Sequence, residues 1–165
     1  MRQSSEGTEM ASGFTLITDW LVDGTIEEVA DVLTDAGRFL DWWPEVYLAV
    51  EEVAPGDAEG IGRAFALHTR GWLPYTLRWT ARLVEQHRPH GWTVEATGDL
   101  VGRGVWTLEQ RGTKAAARYD WRIEVEKPLL RPLTPILKPI YAANHRWAMA
   151  RGRDGLQSEL ARRRA

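Results

Sequence analysis

The stretch AAARYDWRIEVEK, residues 115–127, alternates from Ala117 onward between two kinds of side chain. The first kind is apolar or aromatic: Ala117, Tyr119, Trp121, Ile123 and Val125. The second kind is charged: Arg118, Asp120, Arg122, Glu124 and Glu126. Because successive side chains of a β-strand point to opposite faces, this pattern predicts a strand with one buried and one solvated face. Such a strand is typical of an antiparallel sheet that is covered on one side only.

A second stretch, YTLRWTARLVEQ at residues 75–86, has the same period of two. Its apolar face is formed by Tyr75, Leu77, Trp79, Ala81 and Leu83. Shorter runs rich in β-branched and aromatic residues predict five further strands, at residues 14–22, 46–54, 63–69, 92–98 and 104–110. The glycine-rich sequence DLVGRG, residues 99–104, is interpreted as the connection between the last two of these strands.

Two short helices are predicted between the first and second strands. Thr25, followed three residues later by Glu28, has the spacing of a helix-capping box, and apolar residues recur after it at helical intervals. The second helix covers about residues 35–42 and ends within FLDWWPEV, residues 39–46. Pro44 disfavours the helical conformation at the residue before it, Trp43, so the helix should end at the tryptophan pair.

The C-terminal segment, residues 129–164, opens with prolines and closes with arginines. Prolines are tolerated in the first turn of a helix, although Pro139 should kink this helix or delay its start. A stripe at helical spacing is expected to face the sheet, formed by Leu137, Ile140, Tyr141, Asn144 and Ala148. Residues 1–12 are polar and are expected to form a disordered tail, whereas residues 13–165 should form a single domain.

The order of these elements predicts an α+β fold. It consists of a curved, seven-stranded antiparallel sheet wrapped around a long C-terminal helix, with two short helices after the first strand. A sheet with one apolar face needs a cover, and the apolar stripe of the last helix supplies it. The concave face of the sheet is therefore where aromatic side chains should collect.

The composition excludes several classes of protein. The chain has no cysteine, which removes disulfides, thiol catalysis and cysteine metal sites, and which is compatible with a cytoplasmic location. No apolar run approaches the ~18 residues of a membrane-spanning helix, so stable membrane insertion is not expected. Acidic residues dominate the N-terminal part and basic residues the C-terminal part, and we expect these parts to be neighbours. Without a basic balance over the whole domain, no nucleic-acid partner is predicted.

The titratable and nucleophilic residues give no convincing catalytic or metal motif. His87 and His90 lie across a predicted turn, where exposure is the ordinary state, so no metal ion and no cofactor is expected. All serines lie near the termini and no G-x-S-x-G motif is present, which argues against a serine hydrolase. The glycine-spaced segment at residues 98–104 precedes no predicted helix, so it does not have the context of a phosphate-binding loop.

The sequence resembles the SRPBCC superfamily, also described as START-like or polyketide cyclase/dehydrase-like. The resemblance is carried by an ordered set of segments: EEVADVLTDAGRFLDWWPEV, GIGRAFAL, GWLPYTLRW, GDLVGRGVW, YDWRIEVEKPLLR and NHRWAMARGRDGL. These segments extend from the first helix to the last, although none is diagnostic alone. The resemblance implies a helix-grip fold with a deep cavity between the sheet and the C-terminal helix. It also implies binding of lipids, polyketides or other apolar molecules, and some members are aromatases or cyclases.

The expected cavity defines a set of candidate ligand-binding residues. They are Trp42, Trp43, Tyr75, Leu77, Trp79, Trp106, Tyr119, Trp121, Tyr141 and Asn144. In a helix-grip fold the end of the second helix lies beside the cavity, so we expect one ring of the tryptophan pair to pack and the other to line the cavity. Asn144 could offer its amide to a ligand or satisfy neighbouring backbone, and His145 could lie at the rim or outside.

Three functions are compatible with the sequence. The first is binding of a small hydrophobic ligand that is lipid-, polyketide- or aromatic-like. The second is a polyketide cyclase, aromatase or dehydratase acting in the same cavity, where Tyr75, Tyr119, Asn144 and His145 are the polar groups available for acid–base chemistry. The third is an interaction module that uses the charged outer face of the sheet. No catalytic residue is assigned, and a homodimer is left open.

Overall fold

The computed structural model describes residues 13–125 and 134–165. The elements, numbered along the chain, are β1 Gly13–Asp23, α1 Ile26–Leu33, a 3₁₀ turn Ala36–Arg38 leading into α2 Phe39–Trp42, β2 Tyr47–Ala54, β3 Ala64–Arg70, β4 Thr76–His87, β5 Gly91–Gly98, β6 Leu100–Arg111, β7 Lys114–Val125 and α3 Thr134–Arg164. This order confirms the predicted α+β fold. Residues 1–12, for which a disordered tail was predicted, lie outside the described residues.

All seven strands belong to one antiparallel sheet in the order β1-β7-β6-β5-β4-β3-β2. The predicted alternation in β7 is confirmed, because Tyr119 and Trp121 are buried whereas Arg118 and Arg122 are exposed. One face of the sheet therefore forms part of the core, and the opposite face is charged and solvated.

The glycine-rich segment at residues 99–104 was wrongly predicted to be a connection. Strand β6 begins at Leu100, so most of this segment belongs to the sheet. Its glycines are explained by close packing against β7: a Cβ atom added to Gly102 would lie 2.0 Å from the carbonyl oxygen of Arg122. A glycine inside a strand can mark such a close approach of another backbone, as it does here.

The predicted capping box begins α1. Thr25 Oγ1 accepts a hydrogen bond from the Glu28 backbone N–H at 3.2 Å, and Glu28 Oε2 accepts one from the Thr25 N–H at 2.9 Å. The same carboxylate pairs with Arg164 in the last turn of α3, at 2.6 Å, and this bond is the main reason that the pKa of Glu28 is lowered to about 2. The acidic N-terminal part and the basic C-terminal part are therefore in contact, as the charge distribution predicts.

Helix α3 differs from its prediction in two respects. It starts at Thr134 and continues through Pro139, so this proline does not delay the helix. Ile140 was assigned to the buried stripe but is 40% exposed, because it lies about 100° around the helix from the buried Tyr141. The stripe that faces the protein consists of Tyr141, His145, Ala148, Met149, Gly152, Leu156 and Leu160. The side chain of Leu137, also assigned to the stripe, lies outside what the structure describes.

The tryptophan pair fastens α2 to α3. The rings of Trp42 and Trp43 stack at 5.3 Å, and Trp43 Nε1 donates a hydrogen bond to the Ala148 carbonyl at 3.0 Å. Two glycines of α3 permit this contact. A Cβ atom on Gly152 would lie 2.4 Å from the Trp43 ring, and one on Gly155 would lie 2.0 Å from the Trp42 carbonyl oxygen.

Over the described ranges, no helix combines the length and the apolar character required to cross a lipid bilayer.

Candidate functional site

A cavity of about 580 Å³ lies between the concave face of the sheet and α3. Nine of the ten predicted binding residues line it: Trp43, Tyr75, Leu77, Trp79, Trp106, Tyr119, Trp121, Tyr141 and Asn144. They come from the end of α2, from the start and inner face of β4, from β6 and β7, and from α3. The alternation of the strands, read from the sequence alone, is what identified most of them.

Trp42 is the exception, because it does not line the cavity. It is buried against Phe39, with ring centroids 5.4 Å apart, and against the backbone of α3 at Gly155. Its neighbour Trp43, on which it stacks, lines the cavity and approaches Trp20 of β1 to 5.9 Å. The adjacent tryptophans therefore divide as expected, with one ring in the helix packing and one in the cavity wall.

A row of aromatic rings crosses the sheet on the cavity side. Trp106 stacks on Tyr119 with centroids 4.4 Å apart, Tyr119 stacks on Trp121 at 5.4 Å, and Trp121 lies 5.6 Å from Trp79. Gly104 pairs with Trp121 across the strands and leaves room for these rings, since a Cβ atom there would lie 2.4 Å from the Tyr119 hydroxyl. The sequence analysis missed Gly104, although its inward position in the alternation of β6 was a readable signal.

Strand β4 presents its inner face to open space rather than to packed core. Its inward residues Leu77, Trp79, Ala81 and Leu83 line the cavity and are only partly buried. Further apolar lining residues, which the sequence analysis did not select, are Phe39, Phe65, Leu67, Ala148 and Met149. The wall is thus mainly hydrocarbon and aromatic, which suits an apolar occupant.

The hydroxyl groups in the cavity are held in the neutral form. Burial raises the pKa of Tyr47, Tyr75, Tyr119 and Tyr141 above the ordinary tyrosine value. Tyr75 and Tyr141 also interact with each other through their phenol groups. These side chains can therefore donate hydrogen bonds to an occupant without presenting a negative charge.

His145, which the sequence left either at the rim or outside, lines the cavity. Burial, assisted by the neighbouring positive charge of Arg146, lowers the pKa of His145 to about 4, so the imidazole is neutral at pH 7. Its Nε2 atom is buried and has no hydrogen-bond partner among the described residues. Spacing alone could not decide this position, because a residue 100° from Asn144 on a helix can face either way.

The charged side chains that line the cavity occupy exposed or partly exposed positions. Most of them come from β2, the β2–β3 connection and the β4–β5 turn: Glu52, Asp57, Glu59, Arg63 and Arg88. Several are paired, as Arg63 is with Glu52 at 3.1 Å, and as Arg88 is with Asp31 of α1. The charges therefore belong to the rim of the cavity, whereas its buried wall is neutral.

Asn144 has a structural task in addition to its place in the lining. Its Oδ1 atom accepts hydrogen bonds from the backbone N–H groups of Trp72 at 2.8 Å and Leu73 at 3.2 Å. The amide packs against Gly71, where a Cβ atom would lie 2.1 Å from Oδ1. Of the two roles left open by the sequence, satisfaction of neighbouring backbone is the one seen for this oxygen. The side chain holds the β3–β4 connection, residues 71–75, against α3.

We expect Asn144→Leu to lower the free energy of unfolding by about 1–3 kcal/mol, because it leaves two backbone donors without their acceptor. Hydrogen exchange measured by NMR should show faster exchange at the amides of Trp72 and Leu73. The variant Asn144→Asp keeps an acceptor oxygen at the same place and should retain their protection. Unchanged exchange at both amides in Asn144→Leu would contradict this role.

Across residues 13–125 and 134–165, no group of three or more His, Asp or Glu side chains is arranged to hold a metal ion. The absence of a metal requirement remains a prediction, to be checked by elemental analysis.

No known family model and no curated protein matches the sequence. Solved structures do match. A protein of Thermus thermophilus has a TM-score of 0.73 at 14% identity, over 92% of this chain and 100% of its own. The Zhui aromatase/cyclase of Streptomyces has a TM-score of 0.70 at 18% identity, over 93% and 96%. A START superfamily protein of Mycobacterium smegmatis has a TM-score of 0.69 at 12% identity, over 90% and 97%.

At such low identities these likenesses concern the fold. They show that the chain has the helix-grip fold of START-like proteins over nearly its whole length, which agrees with the resemblance to the SRPBCC superfamily. The cavity between sheet and helix lies where that resemblance predicts it.

Proposed function

We propose that the protein binds a small hydrophobic ligand, lipid-, polyketide- or aromatic-like, in the cavity between the sheet and α3. The observation that carries the proposal is the cavity itself, because about 580 Å³ lies within the ordinary range for ligand sites. A mainly apolar wall with a few neutral polar groups is the usual lining of such a site. A protein that needed these tryptophans only for stability would pack them together and leave no such space.

The similar structures support the same class of function. One of them is a START superfamily protein and another is an aromatase/cyclase. A cyclase, aromatase or dehydratase acting in this cavity is the second candidate. It is favoured by the neutral imidazole of His145 beside the phenol of Tyr141, since an enolisation or dehydration needs a positioned base and a hydrogen-bond donor.

The partners and location follow from the same reasoning. We infer that a small apolar molecule is the main partner, that nucleic acid is not bound, and that the protein works in the cytoplasm. The absence of cysteine and the balanced total charge support these inferences. Formation of a homodimer is a separate question that size-exclusion chromatography with light scattering answers.

The proposed function predicts that bulk placed on the inner face of β4 blocks binding. We expect Ala81→Trp to weaken the binding of naphthalene by about tenfold or more, because Ala81 lines the cavity and an added indole would occupy it. Binding is measured by NMR titration of the indole N–H signals of ¹⁵N-labelled protein. Native mass spectrometry of the freshly purified wild type should detect a co-purifying small molecule that Ala81→Trp lacks.

The matched control is Ala66→Trp, which introduces the same side chain on the neighbouring strand. Ala66 lies between the lining residues Phe65 and Leu67, so it faces away from the cavity. This variant should bind naphthalene as the wild type does. Equal weakening by both substitutions, or no saturable titration of the wild type by naphthalene, would refute the proposed function.

A further inference from the structure

We propose that His145 and Tyr141 form a polar subsite that receives a hydroxyl group carried by a planar aromatic ligand. This inference rests on the proposed function, because it names the chemistry of the ligand and the residue that selects it.

The subsite lies on the face of α3 that lines the cavity. Tyr141 and His145 are four residues apart on α3, which places their side chains next to each other on one helix face. Both line the cavity, and the phenol of Tyr141 interacts with that of Tyr75, the last residue of the β3–β4 connection. Polar groups from a helix and from this connection therefore meet at one place in a wall that is otherwise mainly apolar.

The imidazole of His145 requires a hydrogen-bond partner from the cavity. Its Nε2 atom is buried and has no hydrogen-bond partner among the described residues, and a buried polar atom without a partner is costly. A ligand hydroxyl can both donate and accept a hydrogen bond, so it can satisfy this nitrogen in either tautomer of the neutral ring. The neutral state of the imidazole favours a neutral hydroxyl over an anionic group. The charges at the rim do not alter this preference, because they occupy exposed or partly exposed positions where solvent screens them.

The aromatic wall of the cavity restricts the shape of the ligand. Tyr119 of β7 stacks on Trp106 of the neighbouring strand β6 and on Trp121 of its own strand, at interplanar angles of 19° and 21°. Their edges consequently point away from the sheet towards the cavity. A planar aromatic molecule laid along this row would meet ring edges with its face, which is one of the two preferred geometries for aromatic pairs. The cavity thus selects a flat aromatic body, and His145 selects a polar group on it.

The test compares two probes that differ by one hydroxyl group, naphthalene and 2-naphthol, by NMR titration. We expect the wild type to bind 2-naphthol about 5- to 10-fold more tightly than naphthalene, as one additional buried hydrogen bond allows. His145→Phe should reduce this preference to about twofold or less while keeping the affinity for naphthalene, since phenylalanine preserves an aromatic ring of similar size. His87→Phe, which alters an exposed histidine away from the cavity lining, should behave as the wild type does.

A direct readout does not depend on the folding of any variant. In wild-type protein with ¹⁵N-labelled histidine, 2-naphthol should shift the imidazole ¹⁵N signals of His145, and naphthalene should leave them nearly unchanged. Equal affinity of the wild type for the two probes, or a preference that survives in His145→Phe, would overturn the subsite and leave the proposed function intact. If neither probe binds the wild type, the proposed function fails and the subsite fails with it.

Discussion

Replacing Gly155 with alanine should lower the free energy of unfolding by about 1–3 kcal/mol, the usual cost of overpacking a core. A Cβ atom at this position would lie 2.0 Å from the carbonyl oxygen of Trp42, which is backbone and cannot rotate away. Relief requires α2 and α3 to separate, and separation would loosen the stacked tryptophans between them. This loss outweighs the gain of up to about 1 kcal/mol that alanine brings to a helix interior. Urea denaturation followed by far-UV circular dichroism measures the difference.

The control is Gly37→Ala, which makes the same chemical change at an exposed position in the 3₁₀ turn before α2. The atom nearest to an added Cβ there is Asp35 Oδ1 at 3.7 Å, an ordinary contact distance. We expect this variant to be as stable as the wild type or slightly more stable, because alanine restricts the unfolded chain. If Gly155→Ala were equally well tolerated, α2 would not depend on a glycine in α3 for its docking.

Acidification from pH 6.5 to pH 4 should cost the wild type about 2–3 kcal/mol of stability through His145 alone. Burial holds the pKa of His145 at about 4 in the folded protein, whereas an unfolded histidine titrates near 6.5. Between these two pKa values His145 is protonated in the unfolded state but not in the folded state, so stability falls as the pH falls. Chemical denaturation at a series of pH values measures this slope.

The variant His145→Phe removes this source of pH dependence. We expect its stability to change much less between pH 6.5 and pH 4 than that of the wild type. Below about pH 4.5 both proteins should lose stability. The carboxylates of Glu28 beside Arg164 and of Glu159 beside Arg162 have pKa values lowered to about 2 in the folded protein, so they stay charged while the same groups bind protons in the unfolded chain. Parallel stability curves for the two proteins above pH 4.5 would show that His145 is not buried in the neutral form.

The strands and the side of the sheet that faces the cavity were predictable, because side chains alternate between the two faces of a β-strand and the sequence shows this alternation directly. In β4 and β7, the face to which one side chain points determines the face of every other side chain in the strand. An error of one residue would have placed Trp79 or Trp121 in solvent. Of the nine predicted binding residues that line the cavity, eight lie on strands, immediately before one, or on α3. The ninth, Trp43, was predicted together with Trp42 from the proline that ends the helix and from the resemblance to a helix-grip fold, and the structure shows which of the two rings lines the cavity.

The remaining features depend on distances between elements, which a sequence does not display. The glycines of β6 signal either a loop or a close approach, and only the contact with β7 decides between them. Ile140 and Tyr141 are both apolar neighbours on α3, and the docking angle of the helix determines which one is buried. Asn144 meets the backbone of a connection 72 residues away, so its partner could not be inferred from local spacing.

The tryptophans that connect α2 to Trp106 of the aromatic row have a consequence for optical measurements on this protein. Successive indoles lie close together: Trp42–Trp43 at 5.3 Å, Trp43–Trp20 at 5.9 Å, Trp20–Trp106 at 5.2 Å and Trp106–Trp92 at 6.1 Å. At such separations excitation energy transfers between neighbouring indoles before a photon is emitted, so the emission of one tryptophan depends on the others. A quencher bound in the cavity therefore also lowers the fluorescence of tryptophans that it does not contact. Fluorescence intensity therefore reports the fraction of protein molecules whose cavity is occupied. It does not report which tryptophan the occupant contacts.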